Sequence, residues 1–241
     1  MSPAAVFFDD RPEGSGEKEA VLDAALFANT ALVDPDLSMH LPAPITAATG
    51  IDAFCHAMGS YMSTTSNTFA DAICGEAMAL LETNLRDATY HGADAPEARE
   101  KVALAATMAM LGRVNGGKAA VHSIAYGIQA MYDVPHAEAI AMVLPELVEY
   151  NLPATIGKFA DLGARLYEAQ GTPRDRAETL VDGVFRLRDD LGLDRRLTGV
   201  GASEGDMSDL AELATHSERH LEPNPRPLDA DDAADILAAI W

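Results

Sequence analysis

From Leu41 onward the sequence repeats its apolar residues at a helical period, which confines the chain to a bundle of helices. Pro44 stands where a first helical turn tolerates it, and residues 45–49 are expected to form a short helix stopped by Gly50. A first long helix follows over 51–63. Asn67 is placed to cap the next, over 68–90, in which Ala72, Ala77, Leu80, Leu81 and Leu85 form one apolar stripe. Helices are then predicted over 96–114, up to the break at Gly116-Gly117, over 118–132, and over 136–150 behind Pro135. Pro153 is expected to open another reaching 167, followed by 173–191, 207–220 and, behind an Asp229 cap, 230–240.

Residues 1–36 are written differently. Ala5-Val6-Phe7-Phe8 and Thr30-Ala31-Leu32-Val33-Asp34-Pro35 read as short strands around the turn-rich run Arg11-Pro12-Glu13-Gly14-Ser15-Gly16. Two strands do not make a domain, because an isolated pair is marginal in water. The expected architecture is therefore mainly α: a multi-helix bundle over 37–241, with a short N-terminal β remnant of something larger over 1–36.

Within the bundle two stretches carry chemistry. Asp52 and His56 lie four residues apart in the run Gly50-Ile51-Asp52-Ala53-Phe54-Cys55-His56, so a helix sets both side chains on one face, one turn apart. Ile51, Ala53, Phe54, Ala57 and Met58 bury that run, and a buried carboxylate needs a partner. A helix N-terminus just after Gly50, a cation or a metal ion would each serve. His122 lies in a small-residue, apolar helix, and His136 begins a helix after Pro135. Together the four form a candidate metal site. Three imidazoles and one carboxylate suit Fe2+ or Zn2+ and argue against Ca2+ or Mg2+. The remaining histidines, His40, His91, His216 and His220, read as surface or structural.

Charge and motif content exclude other functions. A net charge of −21, with lysine only at positions 18, 101, 118 and 158, offers no basic stripe for nucleic acid. An acid-rich, lysine-poor surface of this kind also suits solubility at high salt. Apolar runs are broken well before the ~20 residues of a membrane span, and no secretory signal opens the chain, so a cytoplasmic protein is expected. Cys55 and Cys74, both in apolar helical sequence, are expected to be buried free thiols. There is no His-Glu-x-x-His, Walker loop, Gly-x-Ser-x-Gly elbow or His-Asp dipeptide.

The same residues carry a family resemblance. Ala31-Leu32-Val33-Asp34-Pro35-Asp36-Leu37, Leu41-Pro42, and Thr46-Ala47-Ala48-Thr49-Gly50-Ile51-Asp52-Ala53-Phe54-Cys55-His56-Ala57 resemble the iron-containing (group III) alcohol dehydrogenases. So do His122-Ser123-Ile124-Ala125, Tyr132-Asp133-Val134-Pro135-His136, Leu144-Pro145, Tyr150-Asn151 and the closing Pro223-Asn224-Pro225-Arg226-Pro227. The resemblance implies the helical, dehydroquinate synthase-like C-terminal domain of a two-domain enzyme, with metal and substrate in the cleft between domains. It implies that Asp52, His56, His122 and His136 ligate Fe2+, or in some members Zn2+, which polarises an alcohol or carbonyl oxygen while NAD(P) exchanges hydride with the substrate carbon.

Two departures follow from the same comparison. The family's Gly-Gly-Gly-Ser pyrophosphate loop is missing from the sequence, so the chain is expected to be a truncated frame or one half of a split protein. Tyr126 stands where many members carry a second histidine one turn after His122, which makes it the candidate catalytic proton-handling residue. The expected partners are a small alcohol or carbonyl substrate and either a second copy of the chain or a separate nucleotide-binding chain. A metal-independent reductase of the maleylacetate type and a non-catalytic helical interaction fragment are the competing readings. Retention of Asp52 argues against the first.

Overall fold

A computed structural model describes residues 4–8, 18–216 and 221–241, and the chain divides into two compact units, Met1–Asp34 and Pro35–Trp241. In the first, β1 (Ala4–Phe8) pairs antiparallel with β2 (Lys18–Leu22), Ala4 opposite Leu22 and Phe8 opposite Lys18. The expected strand over 30–35 does not form. Residues 30–34 have no regular structure and Pro35–Ser38 is a 3-10 turn, so the partner of β1 is the Lys18–Leu22 segment instead. Pro35 lacks a backbone donor, so the run has no ladder hydrogen bond to donate at that end. The run 11–16 lies outside the described residues.

The second unit is helical. Its elements are α1 (Ala43–Met62), α2 (Thr68–Tyr90), α3 (Pro96–Gly116), α4 (Val121–Tyr132), α5 (His136–Tyr167), α6 (Pro173–Asp190), α7 (Met207–Thr215) and α8 (Ala230–Ala239). Helix α1 is apolar on nearly every side because α2, α3 and α5 surround it. Phe54, Ile51 and Met58 are completely enclosed, each contributing ~1.5–3 kcal/mol of burial. Helices α5 and α6 pack as a pair, while α4 lies against α5 and α7. No described helix is long and apolar enough to cross a membrane.

Two predicted breaks are continuous helix. Helix α1 runs unbroken through Gly50, where an added Cβ would stand 2.2 Å from Leu85 Cδ1 of α2. Glycine is there to let two helices approach, not to stop one. Helix α5 runs through both Pro145 and Pro153, although each ring removes a helical donor. The expected boundary at 150–153 disappears because the packing of α5 against α1, α6 and α8 outweighs the local propensity of proline.

The predicted caps do form. Asn67 Oδ1 accepts from the amides of Phe69 and Ala70, and Asp229 Oδ1 accepts from that of Asp232. Helix α3 ends at Gly117, whose φ of +93° a side chain would oppose. The segment Pro223–Pro227 clamps three elements. Asn224 and Asn151 of α5 exchange amide hydrogen bonds at 2.9 and 3.1 Å. Asn224 Oδ1 also accepts from the amide of Ala120 just before α4, and the Pro223 carbonyl accepts from the amide of Thr64 just after α1. The end of α1, the start of α4 and the middle of α5 are thereby tied together.

Candidate metal centre

Asp52 and His56 come from the middle of α1, His122 from the first turn of α4 and His136 from the first residue of α5. They converge on one carboxylate oxygen. Asp52 Oδ1 is 3.7 Å from His56 Nε2, 4.0 Å from His122 Nε2 and 3.9 Å from His136 Nε2. Donor atoms of Asp52, His122 and His136 all lie within 4.8 Å of one another. His56 joins them through Asp52 and through its ring, which stacks on that of His122 at 5.3 Å and 8°. Two ligands on one tetrahedral ion at bond lengths near 2.1 Å stand about 3.4 Å apart. The observed separations are too long for hydrogen bonds and slightly wider than that edge, the spacing of a ligand set around a cation.

His56 is in the state a metal requires. Burial, with Arg113 and then His136 adding to it, pushes His56 down to about 3, so at neutral pH its ring is uncharged. Arg113, in the last turn of α3, lies 3.0 Å from His122 Nε2 through Nη1. A guanidinium only donates, so that nitrogen must present its lone pair. His136 Nδ1 is 2.8 Å from Gln129 Oε1, on the side of the ring away from Asp52. The donor set therefore fits a borderline divalent ion such as Fe2+ or Zn2+.

Tyr126 projects into the same cluster, its ring 6.2 Å from that of His122 and 5.7 Å from that of His136. The structure thus gathers all five side chains named from the sequence. His40, His91 and His216 are exposed and outside it, and His220 lies outside the described residues. Because α1 is continuous through Gly50, Asp52 sits well inside a helix, and the helix N-terminus considered as its partner does not exist. Arg113 and Gln129 were not anticipated. Gln129 follows His122 by seven residues and Tyr126 by three, a shared helical face that could have revealed it. Cys55, next to the cluster, and Cys74 are buried and free. Burial raises the Cys55 thiol and pushes Cys74 up to about 11, so both are inert.

Comparison with known proteins bears directly on this arrangement. Residues 46–241 match the model of the "Fe-containing alcohol dehydrogenase family, C-terminal". The chain belongs to that family. It is 35% identical over 206 residues to a 1,3-propanediol dehydrogenase of Citrobacter freundii, covering 85% of this chain and 53% of that protein. A long-chain-alcohol dehydrogenase of Geobacillus thermodenitrificans is 31% identical over 231 residues, covering 93% and 57%. The crystal structure of a 1,3-propanediol oxidoreductase superposes with a TM-score of 0.93 at 30% identity, over all of this chain and 62% of that one. The chain spans little more than half the length of the curated relatives it matches. The helical C-terminal fold expected from the resemblance is the fold observed.

Proposed function

We propose that this chain supplies the metal-binding part of an NAD(P)-dependent alcohol dehydrogenase that interconverts small alcohols with aldehydes or ketones. Asp52, His56, His122 and His136 would hold one Fe2+ or Zn2+ ion. The observation that carries the reading is the convergence of three imidazole nitrogens on Asp52 Oδ1 at 3.7–4.0 Å. The ion supplies Lewis acidity toward an oxygen of the substrate, and the nicotinamide cofactor supplies or accepts the hydride.

The chain's own residues set the conditions. The single carboxylate and the uncharged His56 ring leave the site able to accept a dication. Phe54 of α1, Ala125 of α4 and Ala139 of α5, each within three residues of a proposed ligand, are buried. Tyr126 Oη would hold a proton beside His122 and His136, in the role that a histidine has in many members of the family. Residues 1–36 are read as the end of a nucleotide-binding α/β domain, the rest of which would come from a longer chain or a separate nucleotide-binding partner. Two free, buried cysteines favour a cytoplasmic setting.

The test is metal analysis of protein purified under nitrogen. One Fe2+ or Zn2+ per chain is expected, and Asp52→Ala, His56→Ala, His122→Ala and His136→Ala should each weaken binding by roughly tenfold or more. Metal at background level in the unmodified chain overturns the reading.

A further inference from the structure

Among the proposed ligands His136 is the least constrained by its surroundings. It is the first residue of α5, it follows the left-handed residue Asp133 (φ 47°) and Pro135, and a third of its side chain is exposed. His122 is almost fully enclosed. An exposed imidazole at a helix start can rotate, and in its neutral form the proton can sit on either nitrogen. Only the state with Nε2 unprotonated turns a lone pair toward the centre of the cluster, where an ion would bind.

Gln129 makes the choice. Its amide lies between two groups on the far side of the α4–α5 turn. Nε2 donates to the carbonyl of Val134 at 3.3 Å, and Oε1 lies 2.8 Å from His136 Nδ1. A carbonyl can only accept, so it fixes the amide's NH2 end toward Val134 and the oxygen end toward His136. An amide oxygen can also only accept. His136 Nδ1 must then carry the proton, and the lone pair is left on Nε2, the atom 3.9 Å from Asp52 Oδ1. Because Gln129 is one face-turn along from Tyr126 and two from His122, α4 both supplies a ligand and orients another on α5.

We propose that Gln129 is a positioning residue that locks His136 in the Nδ1-protonated tautomer and turns its Nε2 into the metal cluster. This rests on the metal-centre reading above, but the lock itself concerns the metal-free ring and can be measured without metal. Long-range 15N–1H NMR of the metal-free chain, with His136→Gln used to assign the ring, reads the tautomer. The expected spectrum has a protonated Nδ1 and an unprotonated Nε2 in the unmodified chain, and a mixture of both tautomers in Gln129→Leu. Co2+ titration of the full chain supplies the second signature. Gln129→Leu should bind about tenfold or more weakly, with an altered visible spectrum and unchanged helix content. Gln129→Glu, which keeps the acceptor, should restore both. Protonated Nε2 in the unmodified chain, or a Gln129→Leu chain with the same tautomer and the same Co2+ affinity, overturns the proposal. The expected tautomers in a chain that takes up no Co2+ uphold the lock and overturn the metal-centre reading instead.

Discussion

At the scale of single residues the site is a contest between a metal ion and Arg113. The guanidinium lies at His122 Nε2 and, through its charge, adds to the lowering of His56. A dication in the same cluster would meet that charge at short range, where like charges oppose each other by several kcal/mol at the effective dielectric of a protein site. Arg113→Gln is therefore expected to tighten Zn2+ binding by roughly threefold or more, measured by competition with a chromophoric chelator. Weaker binding in that variant would mean that Arg113 supports the ligands instead of competing for them. The four proposed ligands were candidates from residue type and spacing, since positions i and i+4 set Asp52 and His56 on one helix face, while a helix N-terminus or another cation would have served the carboxylate as well. Arg113 was not, because its meaning depends on what stands across from it in another helix and no periodicity within α3 encodes that partner; Gln129 shares the helical face of His122 and Tyr126, but that face does not name its partner on α5.

At the scale of elements the sequence reading failed where glycine and proline were taken as punctuation. Gly50 and Pro153 are local stop signals by propensity, worth ~1 and ~3 kcal/mol against a helix interior. Both are overruled by packing: α2 needs the space that Gly50 leaves, and α5 is held by its neighbours along its whole length. The caps at Asn67 and Asp229 were legible because a cap is a contact with the next turn of the same helix. The continuity of α1 has a measurable consequence. Gly50→Ala would drive a methyl group into Leu85 and force α1 away from α2 two residues before Asp52. Thermal or urea unfolding should show a loss of about 1–3 kcal/mol. Metal affinity should fall in the same variant, because the displaced helix carries two ligands. A variant as stable as the parent would show that Leu85 turns aside freely and that the close approach is incidental.

At the scale of the whole molecule the ligands belong to helices distant in sequence but adjacent in space. Residues 52 and 56 meet residues 122 and 136 only after α2 and α3 have been laid between them, and the segment around Pro223 and Asn224, near the far end of the chain, then joins the end of α1, the start of α4 and the middle of α5. Closing such long loops costs entropy that only a nearly complete core repays. The cluster therefore has no counterpart in the early stages of chain collapse, and an ion cannot act as a nucleus for folding. Its effect should fall on the way out: Zn2+ at a hundred times its dissociation constant should slow unfolding by about a hundredfold and leave the refolding rate unchanged. Stopped-flow rates with and without the ion separate the two, and faster refolding would show that the helices gather around the metal first. A site assembled last acts as a latch, setting how long the folded molecule persists while leaving the speed of its formation to the helices themselves.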